Sequence, residues 1–389
     1  MAHGGHCVGR YDGRVIFVRH ALPGERIRAQ VTEDAGGSFC RADAIEILLA
    51  HAGRVIPPCR FAGPGLCGGC DWQHAAPATS RMLKAEVISE QLRRLAGIEL
   101  AIEVEPLQPP DLRWRTRMQY AVDAGGHAGL RKHRSHDVLP IDDCLLAVPE
   151  ATDGAILSKD WSGSRAIEVD VGLDQDRAVR SMDNRRRWHS VSGSAKSTRR
   201  TAAGRDWQVR AGGFWQVHPQ AAQALVDTVL AMANPRPGDR VLDLYCGMGL
   251  FAAALGIRVG PTGYVLGLEA DSGAVSDGQR QLADIPQVEL RNSVVNQSRI
   301  QALAQGNTDH GEPAFDVVVL DPPRTGAKRD VCTAIAALAP SCVVYVACDP
   351  AALARDVQIF ADLGFALQKI RAFDAFPMTH HVECVALLA

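Results

Sequence analysis

The sequence predicts an α/β protein: a doubly wound, mostly parallel sheet over residues 206–389, preceded by a small β-barrel over 1–55 and an α+β region over 56–205. Three observations carry this reading. After Trp207, short apolar runs recur at Val241–Tyr245, Val265–Leu268, Val288–Leu290, Val317–Leu320 and Val343–Ala347, with helical patterns between most of them. Buried parallel strands read as continuous runs of this kind. The first run opens onto a Gly-rich turn, and the first 55 residues hold only short alternating segments split by turn signals. A chain of 389 residues also exceeds one compact domain, and 47% hydrophobic with 22% charged residues is an ordinary globular balance.

In chain order, Gly13–Val18 and Arg26–Val31 read as strands around the Pro23-Gly24 turn, and the second alternates basic or polar with apolar residues. Residues 56–150 hold a cysteine cluster, a helix over Ser80–Ala96 and several strands. The charged, weakly periodic stretch Ser181–Arg205 reads as flexible. Ala221–Met232 is a helix leading into the sheet. No run of 18 or more apolar residues occurs and the N-terminus lacks an apolar signal core, so a cytoplasmic protein, expected to be a monomer, follows. Eleven cysteines there point to burial, catalysis or metal binding rather than disulfides. The net charge is −2, but residues 1–210 carry +4 and residues 211–389 carry −6. The positive charge clusters in Arg113–Arg117, Arg131–Arg134 and Arg185–Arg187, which leaves a nucleic-acid partner open.

Asp243-Leu244-Tyr245-Cys246-Gly247-Met248-Gly249 follows a strand and precedes a helix pattern. Gly247 and Gly249 let backbone pass close to a bound nucleoside, and Glu269, at the end of the next strand, can accept both ribose hydroxyls. The short loop without a third glycine favours S-adenosylmethionine over a dinucleotide. Asp321-Pro322-Pro323-Arg324 stands at another carboxyl end. Amino-group methyltransferases place an aromatic after a similar Asp-Pro-Pro; Arg324 speaks against that chemistry and for a polar role near the cofactor or RNA. Cys348 follows strand Val343–Ala347, and Glu383 lies 35 residues later. A thiolate adds readily to C6 of a uracil, C5 can then attack an electrophilic methyl group, and a base must afterwards remove the C5 proton. Cys59, Cys67, Cys70 and Cys144 form a C-x7-C-x2-C-x73-C set that could hold zinc or a [4Fe–4S] cluster; the spacing does not choose.

With these residues in view, the chain resembles the S-adenosylmethionine-dependent RNA uracil-5 methyltransferases over nearly its whole length. Gly13–Val18 with Leu22-Pro23-Gly24-Glu25 resembles a TRAM domain, an OB-like RNA-binding barrel. Cys67-Gly68-Gly69-Cys70-Asp71-Trp72 resembles the family's iron–sulfur segment, although the family's first cysteine gap is five residues rather than seven. Phe214-Trp215-Gln216-Val217-His218 matches Phe-x-Gln-x-Asn, residues 243–249 match Asp-Leu-x-Cys-Gly-x-Gly, Ala347–Pro350 matches Ser-Cys-Asn-Pro, and His381-Val382-Glu383 matches His-x-Glu. The resemblance implies a class I methyltransferase fold, Cys348 as nucleophile and Glu383 as base. It also implies that Gln216, Tyr245, Glu269, Asn292 and Asp321 line the cofactor pocket, that an iron–sulfur cluster sits on the four cysteines, and that the product is 5-methyluridine. The same analogy points to 23S ribosomal RNA before transfer RNA. Leu250, His218 and Asp349 stand where the family has Asn, and Asp349 beside the nucleophile is expected to oppose thiolate formation unless it points away. A purine amino-methyltransferase and a non-catalytic iron–sulfur RNA-binding protein are the competing readings.

Overall fold

The computed structural model describes residues 1–304 and 315–389. Strands β1 (Cys7–Tyr11), β2 (Arg14–Arg19), β3 (Arg26–Glu33) and β4 (Phe39–Leu49) form a four-stranded sheet in the order β1-β2-β4-β3. β1 and β2 are joined by Asp12 and Gly13, both at positive φ, the two-residue turn whose twist suits a hairpin. Three register irregularities bend β3 against β4, and β3, expected to be half-exposed, is almost wholly solvent-facing. Only Val18, Ala21, Ala42 and Ala44 make its fully buried core.

Helix α1 (Pro77–Ala96) starts on a proline, whose missing N–H costs nothing there, and stops at Gly97 in the left-handed region. Strand β5 (Val104–Pro106) follows. Although both lie in the central stretch of sequence, α1 buries Ile88 and Leu92 in the core of the C-terminal sheet and β5 forms that sheet's edge. The central antiparallel sheet, in the order β11-β10-β9-β6-β7-β8, comprises β6 (Arg117–Val122), β7 (Ala128–Arg131), β8 (Val138–Pro140), β9 (Ser164–Val171), β10 (Arg177–Asp183) and β11 (Trp188–Ser190). A one-turn helix α2 (Gly154–Leu157) closes one side of its core. A separate hairpin, β12 (Ser197–Ala202) and β13 (Arg205–Arg210), leads into the C-terminal part.

The stretch Ser181–Arg205, expected to be flexible, is instead built into β10, β11 and β12. The reason is a polar interior. Thr198, Arg200 and Ala202 are the inward residues of β12, and the first two bond the Asp170 carboxylate, which Arg117 also reaches at 3.1 Å. A buried strand face that includes Thr and Arg carries no apolar period, so hydropathy alone could not mark it.

The C-terminal part alternates α3 (Ala221–Ala233), β14 (Arg240–Leu244), α4 (Leu250–Val259), β15 (Tyr264–Glu269), α5 (Ser272–Gln281), β16 (Val288–Asn292), α6 (Gln297–Ala304), β17 (Val317–Leu320), α7 (Lys328–Ala337), β18 (Cys342–Ala347), α8 (Pro350–Asp362), β19 (Leu367–Asp374) and β20 (Glu383–Leu388). Its eight-stranded sheet runs β16-β15-β14-β17-β18-β20-β19-β5. The first five of these strands are parallel, while β20 is antiparallel to both β18 and β19. One face is covered by α3 and α4 with Trp207 and Trp215, the other by α1, α7 and α8. Strand order reverses between β14 and β17, so the crevice at their carboxyl ends is where a ligand meets an open α/β sheet. Among the described residues no helix is long and apolar enough to cross a membrane.

Candidate active site

A cavity of about 530 Å³ opens at that crevice. Gln216, Tyr245, Gly247, Glu269, Asp321, Cys348 and Glu383 all line it, so most of the residues singled out from sequence converge on one place. All but Gln216, which comes from the loop after β13, arrive at a strand end or in the turn beside it. The β14 turn carries Tyr245 at φ 62° and Gly247 at φ 56°. A tyrosine held in the left-handed region costs about 1–2 kcal/mol, a strain characteristic of functional turns. The Gly247 N–H donates to Glu269 at 3.1 Å, and the other Glu269 oxygen accepts from the Asp271 N–H at 2.8 Å, so the acid at the tip of β15 is fixed at the cavity wall. Val217 beside Gln216 is tied to the central region, its carbonyl accepting both the N–H and the hydroxyl of Thr116 at 2.9 Å.

Cys348 and Glu383 come together through register. In the antiparallel pairing of β18 with β20, Ala347 faces Cys384. The paired ladder stops there; Cys348 follows Ala347 and Glu383 precedes Cys384, so both stand at one end of the sheet and the Glu383 charge reaches the thiol. Burial, then the nearby Glu383 and Asp321 charges, push the Cys348 thiol up to about 12, and Arg324 opposes them. Glu383 is raised well above the carboxylate range by burial and by Asp321, again against Arg324. Burial alone lifts Asp321 to about 7. Arg324 and Arg210 both line this cavity, and it is the Arg324 charge that opposes the shifts of Cys348 and Glu383. Deeper in, Asp243 is fully buried, neither oxygen has a well-formed hydrogen bond, and burial raises its pKa.

Two sequence-derived pocket residues do not line the cavity. The Asn292 side chain donates to the carbonyls of Glu269 and Ala270 at 3.1 and 2.9 Å, so it braces the turn that carries Glu269. Gly249 begins α4 at φ 90°, where a Cβ would lie 2.8 Å from Leu282. It supports helix–sheet packing. The three departures are resolved as well. Leu250 packs on the core behind α4. His218 is buried, stacks on Trp114 at 5.8 Å and reaches the Pro109 carbonyl at 3.1 Å. Asp349 caps α8, accepting from the Ala352 N–H at 2.8 Å, and its charge still raises the Cys348 thiol pKa.

Cys59, Cys67, Cys70 and Cys144 line one separate cavity of about 250 Å³. The expectation that they form a metal-ligating set is not met in the structure: among the described residues no three His, Cys, Asp or Glu side chains are gathered as a metal-ion site. Two of the sulfurs accept hydrogen bonds, Cys70 Sγ from Gln73 Nε2 at 3.2 Å and Cys67 Sγ from the Gly69 N–H at 3.4 Å. Contacts that sequence reasoning missed tie this segment and α1 to the turn before β20. The Asp71 and Trp72 N–H groups both donate to the Met378 carbonyl at 3.0 Å, and Asp71 pairs with His380 at 2.6 Å. Lys84 on α1 pairs with Asp374 and donates to the Phe376 carbonyl at 3.1 Å. Separations of about three hundred residues leave no local signal for either.

An acid-tipped second strand, a Gly-x-Gly turn and a crevice at the reversal of strand order define the class I methyltransferase architecture. In agreement, a Pyrococcus abyssi tRNA (uracil-54, C5)-methyltransferase, solved in complex with S-adenosyl-L-homocysteine, shares the fold with a TM-score of 0.71 and 22% identity, covering 100% of this chain and 98% of that one. The family model described as tRNA (Uracil-5-)-methyltransferase matches residues 200–389. A Streptomyces avermitilis protein named as an uncharacterized RNA methyltransferase is 46% identical over 100% of this chain and 96% of its own. The Pseudomonas putida 23S rRNA (uracil(1939)-C(5))-methyltransferase RlmD is 32% identical over 100% of this chain and 91% of its own. The chain belongs to the RNA (uracil-5-)-methyltransferase family.

Proposed function

We propose that the protein methylates C5 of a uridine in RNA, 23S ribosomal RNA before transfer RNA, through a covalent Cys348–C6 adduct. The observation that carries this is that Cys348 and Glu383, next to the paired Ala347 and Cys384 of β18 and β20, both line the crevice cavity. Glu269, with the Gly247 turn, suits the two hydroxyls of a ribose, and the cavity volume accommodates a nucleoside-sized cofactor. S-adenosylmethionine, when bound, supplies the electrophilic methyl group. Cys348 gives its proton to solvent and its sulfur bonds to C6 as the C5=C6 double bond opens, making C5 nucleophilic. C5 takes the methyl group, whose donor would leave as S-adenosylhomocysteine, and Glu383 then takes the C5 proton while the Cys348–C6 bond breaks and the double bond re-forms. The uridine must be unpaired or flipped out to reach the thiol. Phe214 stands 70% exposed on the rim, an aromatic face on which a base can stack. The ribosomal preference follows relatives such as the Pseudomonas putida enzyme.

The barrel, cysteine-bearing and methyltransferase parts are read as residues 1–55, 56–205 and 206–389. For the four cysteines that line one cavity, a [4Fe–4S] group rests on the resemblance of the segment and not on the arrangement of the side chains. Its role in this reading is to hold the surrounding loops; the methyl transfer itself involves no electron transfer. Beside it lies a groove of about 680 Å³ lined by Arg131, Lys132, Arg134, Arg165 and Arg186 and by no carboxylate. It joins basic clusters far apart in sequence and suits a phosphodiester backbone. Arg165→Ala with Arg186→Ala is expected to weaken RNA binding and to lower the salt dependence of log K by about 2, one per phosphate contact, in a filter-binding titration.

The test of the reaction uses RNA carrying 5-fluorouridine, with S-adenosylmethionine. Fluorine at C5 cannot leave as a proton, so a protein–RNA adduct that maps to Cys348 by mass spectrometry is expected. Undiminished methyl transfer by Cys348→Ala would overturn the reading.

A further inference from the structure

We infer that His3 is a positioning residue for Cys348: held against Asp349, it offsets the charge of the carboxylate that follows the nucleophile in the chain. The inference rests on Cys348 as the reacting thiol. Residues 2–5 run as a strap beside Cys348, on the side away from the cofactor cavity. A second, smaller cavity of about 100 Å³ lies between strap, α8 and the turn before β20, with His3, Arg324, Cys348 and His381 on its wall. His3 Nε2 lies 3.1 Å from Asp349 Oδ2.

The strap is fixed rather than draped. The Gly5 carbonyl accepts from the buried indole N–H of Trp72 at 3.0 Å, and the Ala2 N–H donates to the His6 carbonyl at 2.8 Å. Gly5 has φ +81°, and a Cβ there would lie 2.9 Å from His380 Cβ, so only glycine lets the strap approach this closely. His3 is thus delivered to Asp349 by contacts that do not involve Asp349.

Asp349 divides its oxygens between two tasks. Oδ1 accepts from the Ala352 N–H as the cap of α8, and Oδ2 faces His3. A carboxylate next to a thiol disfavours the thiolate, and a cation bonded to it removes much of that field. Consistently, the bond to Asp349 outweighs burial and raises the His3 pKa, while burial of Asp349 is outweighed by His3 and the α8 amides, which lower its pKa. The other charged or titratable groups facing Cys348 or this cavity are Glu383, Asp321, Arg324, Lys84, His380 and His381. Lys84 is engaged by Asp374, His380 by Asp71, and burial presses His381 down to about 4, leaving His3 to face Asp349. Where relatives by resemblance carry Asn after the nucleophile, no such partner is needed.

The experiment alkylates the full-length protein with iodoacetamide and follows the Cys348 peptide by mass spectrometry. The proteins are the native chain, His3→Ala, Asp349→Asn and the double variant; asparagine keeps the helix cap without the charge. Below the raised His3 pKa, His3→Ala is expected to slow Cys348 alkylation about three- to tenfold, because an uncompensated carboxylate lifts the thiol pKa. Above that pKa a neutral His3 offsets nothing, so the two rates should converge. In the Asp349→Asn background, His3→Ala should change nothing. A deficit that persists at all pH values, or one equally large in the Asp349→Asn background, would mark a merely structural strap and overturn the proposal, as would no deficit at any pH. The readout needs no RNA, so failure of the 5-fluorouridine trap would count against the reaction and not against this pairing.

Discussion

Glu383→Gln is expected to stop the reaction half-way. With ordinary uridine RNA and S-adenosylmethionine, a methylated protein–RNA adduct should accumulate on denaturing gels, and turnover should fall by about 10²–10⁴-fold, the usual contribution of a placed base. The amide keeps the shape of the side chain, so Cys348 can still add to C6 and C5 can still be methylated; only removal of the C5 proton lacks an acceptor. The position of Glu383 makes this a severe loss. It is buried at 3% exposure, so water has no ready path to replace it as base. The pH dependence follows from the same burial. Glu383 accepts a proton only when ionised, and burial with the Asp321 charge raises its pKa well above the usual range, so turnover should rise with pH until that pKa is passed. Asp321→Asn removes a negative charge that favours protonated Glu383, so the rising limb of kcat against pH should move to lower pH. An unmoved limb would mean that another group titrates there.

The strand ends that carry Cys348 and Glu383 were more legible in the sequence than the pocket around them. Cys348 and Glu383 could be placed on strand ends from local patterns, because each strand is a continuous apolar run. Their placement at one end of the sheet depends on β20 inserting antiparallel between β18 and β19, a register set by tertiary packing. Asn292 and Gly249 show the limit of motif reasoning: both stand beside cofactor-lining residues in sequence, yet one braces the Glu269 turn and the other makes room for helix packing. His218 belongs to the same motif as Gln216 and Phe214 but does not join them at the cavity, because the chain bends at Val217 and His218 and the imidazole packs inward onto Trp114. The stretch Ser181–Arg205 failed for the opposite reason, since its buried face is polar and joined by Asp170 rather than by apolar contact. His3, Asp71 and Lys84 could not be found at all from sequence, because each acts on a partner that only the fold supplies.

Lys84→Met should be among the most destabilising single changes in the molecule. Lys84 and Asp374 are both buried, their side chains 0% and 3% exposed, with Nζ 2.5 Å from Oδ1. Burial lowers the Lys84 pKa, and the Asp374 charge opposes that shift. Removing one partner strands the other charge out of water, which costs about 3–5 kcal/mol. For a domain of this size that corresponds to a loss of about 10 °C in Tm, readable by calorimetry. Lys84→Met with Asp374→Leu removes both charges and should recover most of the loss, since apolar replacement of a buried pair is often neutral. Activity should not recover with it. Lys84 also donates to the Phe376 carbonyl, and Phe376 lines the cofactor cavity at the start of the turn that ends at Glu383. The double variant therefore keeps a stable sheet but loses the bond that holds this turn, and a methyl-transfer assay should show a raised KM for S-adenosylmethionine and a lowered kcat at near-native Tm. Equal recovery of stability and activity would show that the pair serves packing alone, and that the turn before β20 is held by Asp71 and His380 without it.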